Sequence, residues 1–342
     1  MSPREAQEGG REGGQEGPQE RRLHGELDVV TLGESMLRFS VRPGDLIEDA
    51  PCFDVHVAGS EANVAYALAR MGVRAGWISV LPENPLGERV ATTLRSGGVD
   101  VSGVGWTPEG RLGTYFVQLG SPPRPTTVTY DRAGTTMALA RPDLLDWSIF
   151  ERTRHFHVSG ITFAVSDAAS ELAMTAVREA RRCGCTVSLD VNHRAQMWSA
   201  AQATAKLERL AGALDLVICK GQDAGDVFGA EGTPRAVAEH LAARFRARAV
   251  ACTWGVKPAT LLVGNEWHEC PSHQVQVVDR IGAGDAFAAG LLWGLIDGAL
   301  PDGLRRGVAM AALSMTVRGD LLRMPREAVD ALLLSTGRDV ER

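Results

Sequence analysis

The chain has 342 residues, of which 44% are hydrophobic, and a net charge of −6. The acidic balance and the lack of a basic stripe argue against a nucleic-acid partner. The sequence has no apolar run long enough to span a bilayer, which argues against a membrane protein. It also shows no signal-peptide pattern, and we expect a cytoplasmic location. Six cysteines in a chain of this length do not indicate a disulfide scaffold, so we expect reduced thiols in a large α/β protein.

The first segment differs in kind from the rest. Residues 1–26 contain a single Leu and are rich in Gly, Gln, Glu and Arg. Such a segment cannot bury enough apolar surface to offset the entropy lost on ordering. We therefore expect a disordered tail over residues 1–27, with an extension of no function favoured over an interaction tail, and a folded domain over residues 28–335.

The domain itself alternates between short β-branched runs and helical patterns. Strands are predicted at residues 28–33, 74–80, 155–160, 186–192, 214–220 and 247–255, and helices at 60–72, 89–98, 166–182 and 234–244. Ser60 is a candidate N-cap of the first helix, and Gly72 a candidate stop. Apolar strands alternating with helices predict a mostly parallel central sheet with helices on both faces.

Two stretches break this alternation, at residues 35–59 and 113–134. Neither has a helical period, and the second predicts a hairpin of strands 114–119 and 126–132 around a proline-rich tip. We expect the two stretches to form a small antiparallel β lid. Such a sheet would cover a site at the carboxyl ends of the parallel strands, where open α/β sheets bind ligands.

The segment DRIGAGDAFAAG, residues 279–290, combines glycines with an acid at the start of an apolar helix. The helix is predicted to begin near Ala283, and its free amides together with Gly282 and Gly284 would make an anion pocket suited to phosphate. Asp285 would lie in the first turn, where it can accept a proton from an attacking hydroxyl. The alternative is that Asp285 only complements the helix dipole and the glycines serve packing.

A second segment, VAGSEANVAYALARMG at residues 57–72, places Gly59 and Asn63 at the start of a helix. Together the two segments resemble the signatures of the ribokinase-like (PfkB) carbohydrate kinases, in the same order and over nearly the whole domain. The resemblance implies ATP-dependent phosphorylation of a sugar hydroxyl, with Asp285 as base and the amides of Gly282, Ala283 and Gly284 receiving the developing charge. The sequence contains no GxxxxGK[ST] phosphate loop, as the resemblance also implies.

Three further segments, residues 129–134, 158–166 and 188–198, look like those of 2-keto-3-deoxygluconate kinases. The resemblance implies that the substrate is 2-keto-3-deoxygluconate, a sugar acid, and that the product is its 6-phosphate. The implied sugar-binding residues come from the lid, from strand ends and, for Asp320, from the last helix: Gly59, Asn63, Tyr115, Tyr130, Arg132, Arg194, Asp285 and Asp320.

The residue types support a sugar acid independently. In an extended strand Tyr130 and Arg132 share one face, and a guanidinium suits a carboxylate. Two arginines, Arg132 and Arg194, are therefore expected to meet one carboxylate. Without the resemblance, structural roles would be favoured over carboxylate binding for both residues. Arg132 would be a solvated charge of an edge strand, and Arg194 would pair with Asp190.

The nucleotide side departs from the family pattern at several positions. The resemblance places Lys220, Thr253, Trp254 and Gly255 with the glycine-rich helix start around ATP, and it implies Mg²⁺ ordered through water by Asp223. Lys220, Pro258 and Val308 differ from the usual residues, so nucleotide preference stays open. The family also implies a monovalent cation such as K⁺ near Asp279, and a homodimer formed through the lid.

Other functions remain open from the residues alone. A kinase for fructose, ketogluconate or a nucleoside would keep the same chemistry. A non-catalytic sugar-binding regulator would keep the sugar pocket and lose the nucleotide side, and a structural partner protein would need neither. His155 and His157 share a strand face and could ligate a metal, although no third ligand has a diagnostic spacing.

Overall fold

This computed structural model describes residues 26–120 and 123–335. Nearly all of the predicted tail lies outside the described residues. The strands are β1 (Leu27–Leu32), β2 (Met36–Ser40), β3 (Asp54–Ala58), β4 (Ala75–Pro82), β5 (Val104–Thr107), β6 (Gly113–Gln118), β7 (Thr127–Asp131), β8 (Thr153–Ser159), β9 (Thr186–Asp190), β10 (Leu216–Lys220), β11 (Ala249–Trp254), β12 (Lys257–Val263) and β13 (Glu266–Cys270).

The α-helices are α1 (Ser60–Arg70), α2 (Pro85–Ser96), α3 (Gly160–Val165), α4 (Asp167–Arg182), α5 (Ala200–Leu207), α6 (Gly221–Phe228), α7 (Pro234–Phe245), α8 (Ala283–Ile296), α9 (Leu300–Ser314) and α10 (Arg326–Leu334). Short 3₁₀ turns are formed by Pro142–Leu144, Trp147–Arg152 and Glu208–Leu210. No helix among residues 26–120 and 123–335 is long and apolar enough to cross a membrane.

The main sheet has nine strands within the described residues, in the order β13-β12-β11-β10-β9-β8-β1-β4-β5. All neighbours from β11 through β5 pair in parallel, and β12 and β13 add an antiparallel edge. Every residue of β1 and β4 is buried, because helices cover both faces of the sheet. The predicted mostly parallel α/β fold is therefore confirmed. The edge strands β12 and β13 were not foreseen.

Each face of the sheet carries its own apolar core. One core packs α4, α5 and α7 over alternate side chains of the central strands, and the other packs α1, α2, α8 and α9 over the opposite side chains. Helix α8 is apolar on all sides, and ten of its residues are buried. Its first turn is consequently fixed at the edge of the core, and this rigid attachment is what positions Asp285.

The two irregular stretches form the lid, a sheet of order β3-β2-β6-β7. Two of its pairings, β2 with β3 and β6 with β7, are antiparallel, as predicted, but the central pairing of β2 with β6 is parallel. Since β2 and β6 belong to different stretches, no turn within either stretch sets the direction of this pairing. The face turned from the domain carries three neighbouring rings, Phe39, Phe53 and Phe116.

One local prediction is wrong. Ser60 is not the N-cap of α1. Gly59 is the N-cap and Ser60 is the first helical residue, so the Ser60 hydroxyl does not cap the helix. The helix predicted over residues 166–182 is confirmed as α4, with the Ser166 hydroxyl as its N-cap, and the short helix α3 precedes it.

Candidate active site

A cavity of about 600 Å³ lies between the lid and the carboxyl ends of the main-sheet strands. This volume is within the range of pockets that enclose small-molecule ligands. Its wall is made by the lid, by the ends of β1, β8, β9, β10 and β11, and by the start of α8. The order of the strands thus brings together residues that are more than two hundred positions apart in the chain.

The floor of the cavity is the start of α8. Gly282 is the N-cap, with a φ of 88°, and a Cβ on this residue would lie 2.5 Å from the Asp320 carbonyl oxygen. Only glycine satisfies both the left-handed backbone and this close approach. Gly282 and Gly284 line the cavity. Amides at a helix start are ready donors to an anion, so this floor suits a phosphate.

Asp285 lies in the first turn of α8 with both carboxylate oxygens held. Ser60 Oγ donates to Oδ1 and Asn63 Nδ2 to Oδ2, each at 2.7 Å. Asn192 in turn donates to Ser60 Oγ at 3.1 Å. Burial raises the pKa of Asp285, whereas the bonds from Asn63 and Ser60 oppose that rise. An oriented carboxylate with a raised pKa is what a general base at a cavity wall requires.

A second acid stands beside it. Asp190 ends β9, lines the cavity, and accepts a hydrogen bond from the Asn192 amide at 3.1 Å. Burial, and then the charge of Asp285, raise the pKa of Asp190 to about 7. Lys220 and Arg194 act in the opposite direction, so both cations lie within electrostatic reach of this acid.

The Gly59 position is as tightly enclosed as the α8 start. A Cβ there would lie 2.2 Å from the Glu34 carbonyl oxygen. The Gly59 amide donates to Asn63 Oδ1 at 3.3 Å, which orients the Asn63 amide group toward Asp285. The predicted pair of Gly59 and Asn63 therefore serves Asp285 as well as lining the cavity.

Behind Asn63, Glu61 is enclosed in the protein. Its Oε1 accepts from the Ser159 amide at 2.9 Å, and from the Ser159 and Thr162 hydroxyls at 2.7 Å each. Burial raises the pKa of Glu61 to about 7, although these hydrogen bonds oppose the rise. The carboxyl thus ties α1 to the ends of β8 and α3.

We expect Glu61→Gln to stabilise the protein more at roughly pH 8 than at roughly pH 5. The Glu61 carboxyl titrates near 4.5 when unfolded and near 7 when folded. Between these values the unfolded state releases a proton that the folded state keeps, so the wild-type free energy of unfolding falls as pH rises. An amide cannot titrate, and the gain from low to high pH is at most ~3 kcal/mol. Thermal unfolding of the wild type and of Glu61→Gln at both pH values measures this gain in stability. The same stability difference between the two proteins at both pH values would contradict the prediction.

The lid contributes Tyr115, Tyr130 and Arg132, as the sequence predicts. The Tyr115 and Tyr130 rings lie 5.5 Å apart, and the Arg132 guanidinium is 5.7 Å from the Tyr130 ring. Arg132 is not a solvated edge charge, because its side chain is 14% exposed and ion-paired with Glu34. Glu34 also accepts from the Thr135 hydroxyl at 2.5 Å. The lid is thus tied to the end of β1 by a charge pair at the cavity wall.

Asp320 comes from the loop between α9 and α10, and not from the last helix as the resemblance implied. Helix α9 ends at Ser314 with Met315 as its C-cap, and Gly319, directly before Asp320, takes a positive φ. The Asp320 carboxylate accepts from Tyr115 Oη at 2.7 Å and from Arg38 Nη1 at 3.0 Å. Asp320 and Tyr115 reach the cavity as one hydrogen-bonded unit.

Three cations line the cavity without a hydrogen-bond or ion-pair partner anywhere in the described parts of the chain: Arg194, Lys220 and Arg280. All three are exposed. The alternative in which Arg194 pairs with Asp190 is therefore wrong. Unpaired cations around an anion-binding helix start leave their charge available to an anionic ligand.

The structure brings the predicted nucleotide-side residues together only in part. Thr253 and Lys220 line the cavity. Trp254 packs over Gly221 and donates to Thr260 Oγ1 at 3.1 Å, and Gly255 forms the turn into β12. Their roles at the nucleotide stay predictions.

The remaining predicted residues lie just behind the wall. The Ala283 amide donates to the Arg280 carbonyl at 3.4 Å. Asp223, in the first turn of α6, accepts from the His193 amide at 3.3 Å, and burial raises its pKa. Asp279 is bound by Arg38. The anion-pocket, Mg²⁺ and monovalent-cation roles of these residues are not decided by these contacts.

The two histidines of β8 have a structural explanation. His155 bonds to the hydroxyls of Thr186 and Ser188, and His157 to Ser188, at 2.7 to 2.8 Å. Burial lowers the pKa of both to about 3, so they are neutral. Within the described ranges no group of His, Cys, Asp and Glu is arranged to hold a metal ion.

Sequence reasoning missed Glu34, Ser60, Asn192 and Arg280 as cavity residues. Arg280 adjoins the glycine motif, and its position was a usable signal. Glu34 and Asn192 follow strand ends at Leu32 and Asp190, where polar residues meet the ligand edge of an α/β sheet. Ser60 was assigned to helix capping, and that assignment concealed its contact with Asp285.

The chain is similar to known proteins over most of its length. The sequence profile described as pfkB family carbohydrate kinase matches residues 26–326. The chain is 37% identical to a 2-dehydro-3-deoxygalactonokinase of Haloferax volcanii over 316 residues, covering 92% of this chain and 99% of that protein. It is 32% identical to a 2-dehydro-3-deoxygluconokinase of Bacillus subtilis over 324 residues, covering 93% of this chain and 98% of that protein.

A solved structure shows the same architecture. The crystal structure of a 2-dehydro-3-deoxygluconokinase from Thermotoga maritima superposes with a TM-score of 0.85 at 31% identity, covering 91% of this chain and 99% of that one. The superposition spans most of both chains, so the two proteins share the overall fold.

Proposed function

The chain belongs to the pfkB family of carbohydrate kinases, and we propose that it transfers the γ-phosphoryl group of ATP to a terminal hydroxyl of a sugar acid. The preferred substrate is 2-keto-3-deoxygluconate, which becomes the 6-phosphate. The observation that carries the proposal is Asp285, held by Ser60 and Asn63 at an anion-binding helix start inside a cavity edged by unpaired cations.

Asp285 accepts the proton of the substrate hydroxyl as that oxygen attacks the γ-phosphorus and the bond to ADP breaks. The hydrogen bonds from Ser60 and Asn63 fix the orientation of the Asp285 carboxylate, so the base is already positioned for the reacting hydroxyl. The amides at Gly282 and Gly284, which line the cavity, receive the developing phosphoryl charge, and Lys220 and Arg280 add positive charge at the rim. The Ala283 amide adds to them only on leaving its 3.4 Å contact with the Arg280 carbonyl. Catalysis is then mainly positioning and electrostatic stabilisation.

The residues present fit Mg²⁺ near Asp223. This half-buried carboxylate has its Oδ2 on the His193 amide, and carboxylate oxygens are ligands that a hard cation prefers, here through water. When bound, Mg²⁺ neutralises charge on the nucleotide phosphates. A monovalent cation at Asp279 has no part in this mechanism, because Arg38 is already ion-paired with that carboxylate.

The sugar acid binds under the lid against Tyr115, Tyr130 and Asp320. Arg194 is the residue that receives the substrate carboxylate, since it lines the cavity, is exposed, and is unpaired within the described chain. Arg132 is shared with Glu34 and contributes less charge. A neutral sugar would leave Arg194 without a function at this wall.

The C4 epimer, 2-keto-3-deoxygalactonate, is a second candidate substrate. The observation that favours it is the similarity to the Haloferax volcanii protein over nearly all of both chains. The epimers share the carboxylate and the terminal hydroxyl, so the proposed base and Arg194 would serve both. Discrimination between them falls to the lid residues that face the middle of the sugar.

A coupled ADP-release assay across both epimers, gluconate, ketogluconate, fructose, ribose and a nucleoside tests the proposed function. We expect turnover with the 2-keto-3-deoxy acids and weak turnover with the neutral sugars. Sugar binding without ADP release from any compound would instead support a non-catalytic regulator. Equal turnover of fructose would exclude the specificity while retaining the kinase activity.

Lys220→Ala is expected to raise KM for ATP by roughly fivefold while KM for the sugar acid changes little. Lys220 is exposed at the end of β10, on the same wall as the helix start of α8. Initial rates with each substrate varied in turn measure the two constants. Lys206→Ala, which removes a lysine paired with Asp167 away from the cavity, is the matched control. A change in the sugar constant alone would show that Lys220 faces the sugar.

The outer face of the lid supports a homodimer. Phe39, Phe53 and Phe116 form one aromatic cluster there, with ring centroids 5.3 to 6.2 Å apart. A second lid packed on this cluster would remove it from water. Light scattering of the wild type and of Phe116→Asp tests this part of the proposal, with loss of dimer expected only in the variant.

A further inference from the structure

A single buried guanidinium lies behind the active-site wall. Arg38, in lid strand β2, is 1% exposed, yet it does not line the cavity. Its Nη2 lies 2.5 Å from Asp279 Oδ2, its Nη1 3.0 Å from Asp320 Oδ2, and its Nε donates to Ser40 Oγ at 2.7 Å. All of its donating edges are thus engaged by buried groups.

The two acids belong to segments that carry the active site. Asp279 opens the loop that leads to Gly282 and α8, and its Oδ1 accepts from the Ile281 amide at 3.1 Å. Asp320 holds Tyr115 at the cavity wall. Arg38 therefore joins the lid, the anion-binding loop and a sugar-binding aspartate through one side chain.

The surroundings of Asp279 do not fit the monovalent cation that the family resemblance implies. The side chain is 0% exposed. Oδ2 receives Arg38 and the Gly319 amide at 3.3 Å, while Oδ1 receives the Ile281 amide. Both oxygens already accept hydrogen bonds, and the positive charge beside them is covalently part of the chain.

We infer that Arg38 is a positioning residue that supplies the fixed counter-charge of Asp279 and Asp320, so that this kinase holds its anion-binding loop without a monovalent cation. The bond network explains why. Two buried carboxylates on neighbouring loops repel each other unless a cation lies between them, and removing one partner of a buried ion network leaves an uncompensated charge. A guanidinium donates from three separate nitrogens in a fixed plane, so each carboxylate has its own donor, whereas an ammonium donates from one nitrogen.

The catalytic part of this inference rests on the proposed kinase activity, whereas its binding and stability parts do not. The first test therefore uses the wild-type protein. ADP release and melting temperature are measured in potassium, sodium and tetramethylammonium chloride at equal ionic strength, with nucleotide free of alkali cations. We expect rates that agree within about twofold and the same melting temperature in all three salts. Saturable activation or stabilisation by potassium would overturn the inference.

The second test removes the guanidinium. Arg38→Ala is expected to lower the melting temperature by at least ~5 °C and to lower kcat more than KM for ATP, because the loop loses its counter-charge. Guanidinium chloride at millimolar, non-denaturing concentrations should restore part of kcat in this variant and leave the wild type unchanged, whereas urea should not. No rescue together with an unchanged kcat would show that Arg38 serves the fold alone.

Arg38→Lys covers the case in which the alanine variant does not fold. Lysine keeps the charge but donates from one nitrogen where Arg38 uses three, so we expect a folded protein with intermediate kcat and a new response to potassium. Arg74→Ala is the matched control, since Arg74 is also ion-paired to an aspartate, Asp28, but is half exposed and away from the cavity. It should show neither a cation response nor rescue. If no sugar acid releases ADP, the melting data still decide the role of Arg38.

Discussion

Asp285→Asn is expected to lower kcat by roughly 10²- to 10⁴-fold while leaving sugar binding and the fold almost intact. An amide has the shape of the carboxylate and can still accept from Ser60, but it cannot take the proton of the attacking hydroxyl. Burial raises the pKa of Asp285, so wild-type activity should fall as pH drops through that raised value, where the base becomes protonated. Single-turnover phosphoryl transfer and sugar-binding titration measure the two properties separately.

Asp297→Asn provides the matched control. Asp297 lies at the opposite end of α8, ion-paired with Arg306, so this variant makes the same chemical change in the same helix without touching the cavity. Its kcat should equal that of the wild type. A near-normal kcat in Asp285→Asn would exclude this carboxylate as the base, and the neighbouring Asp190 would then be the group to test.

Arg194→Leu is expected to lower kcat/KM for 2-keto-3-deoxygluconate by roughly 10- to 100-fold. A hydrogen bond to a charged group contributes about 1.5–3 kcal/mol, and each 1.4 kcal/mol is about tenfold. Arg194 has no partner of its own among the described residues, so its loss breaks no internal ion pair and the fold should be unaffected. Steady-state kinetics with the sugar acid measures the change.

A neutral analogue with the same hydroxyls separates carboxylate recognition from general damage. It should be a poor substrate for the wild type and should lose little more in Arg194→Leu. Arg209→Leu, which removes an exposed arginine paired with Glu171, should behave as the wild type on both compounds. Equal losses on the acid and the neutral analogue would place the substrate carboxylate elsewhere, with Arg132 the remaining lid arginine.

Much of the fold was predictable from local patterns. The β-branched runs around β1, β4, β8 and β10 and the glycine before α8 carry their signal within a few residues, and the structure confirms them. The edge strands β12 and β13 were missed because their pairing depends on β11 rather than on a pattern of their own. The parallel pairing inside the lid was missed for the same reason, since it joins two stretches far apart in the chain.

The residues of the candidate site were also predictable where they belong to local motifs, and not where they depend on contacts between distant elements. Asp285, Gly282, Gly59 and Asn63 stand in short motifs, and their residue types already indicate an anion pocket with a base. The Ser60 contact could not be predicted, because it depends on α1 and α8 meeting across the sheet.

The sequence by itself determined the fold class, the family and the residues of the glycine-rich helix start. These properties follow from short-range spacing and backbone preference, which are local. Only the tertiary structure decided how the charges are paired: Arg132 with Glu34, Arg38 between Asp279 and Asp320, and Arg194 with no partner among the described residues. An arginine of the same type can be neutralised, buried or free, and which of these it becomes depends on the acids that distant strands and loops bring within hydrogen-bonding distance.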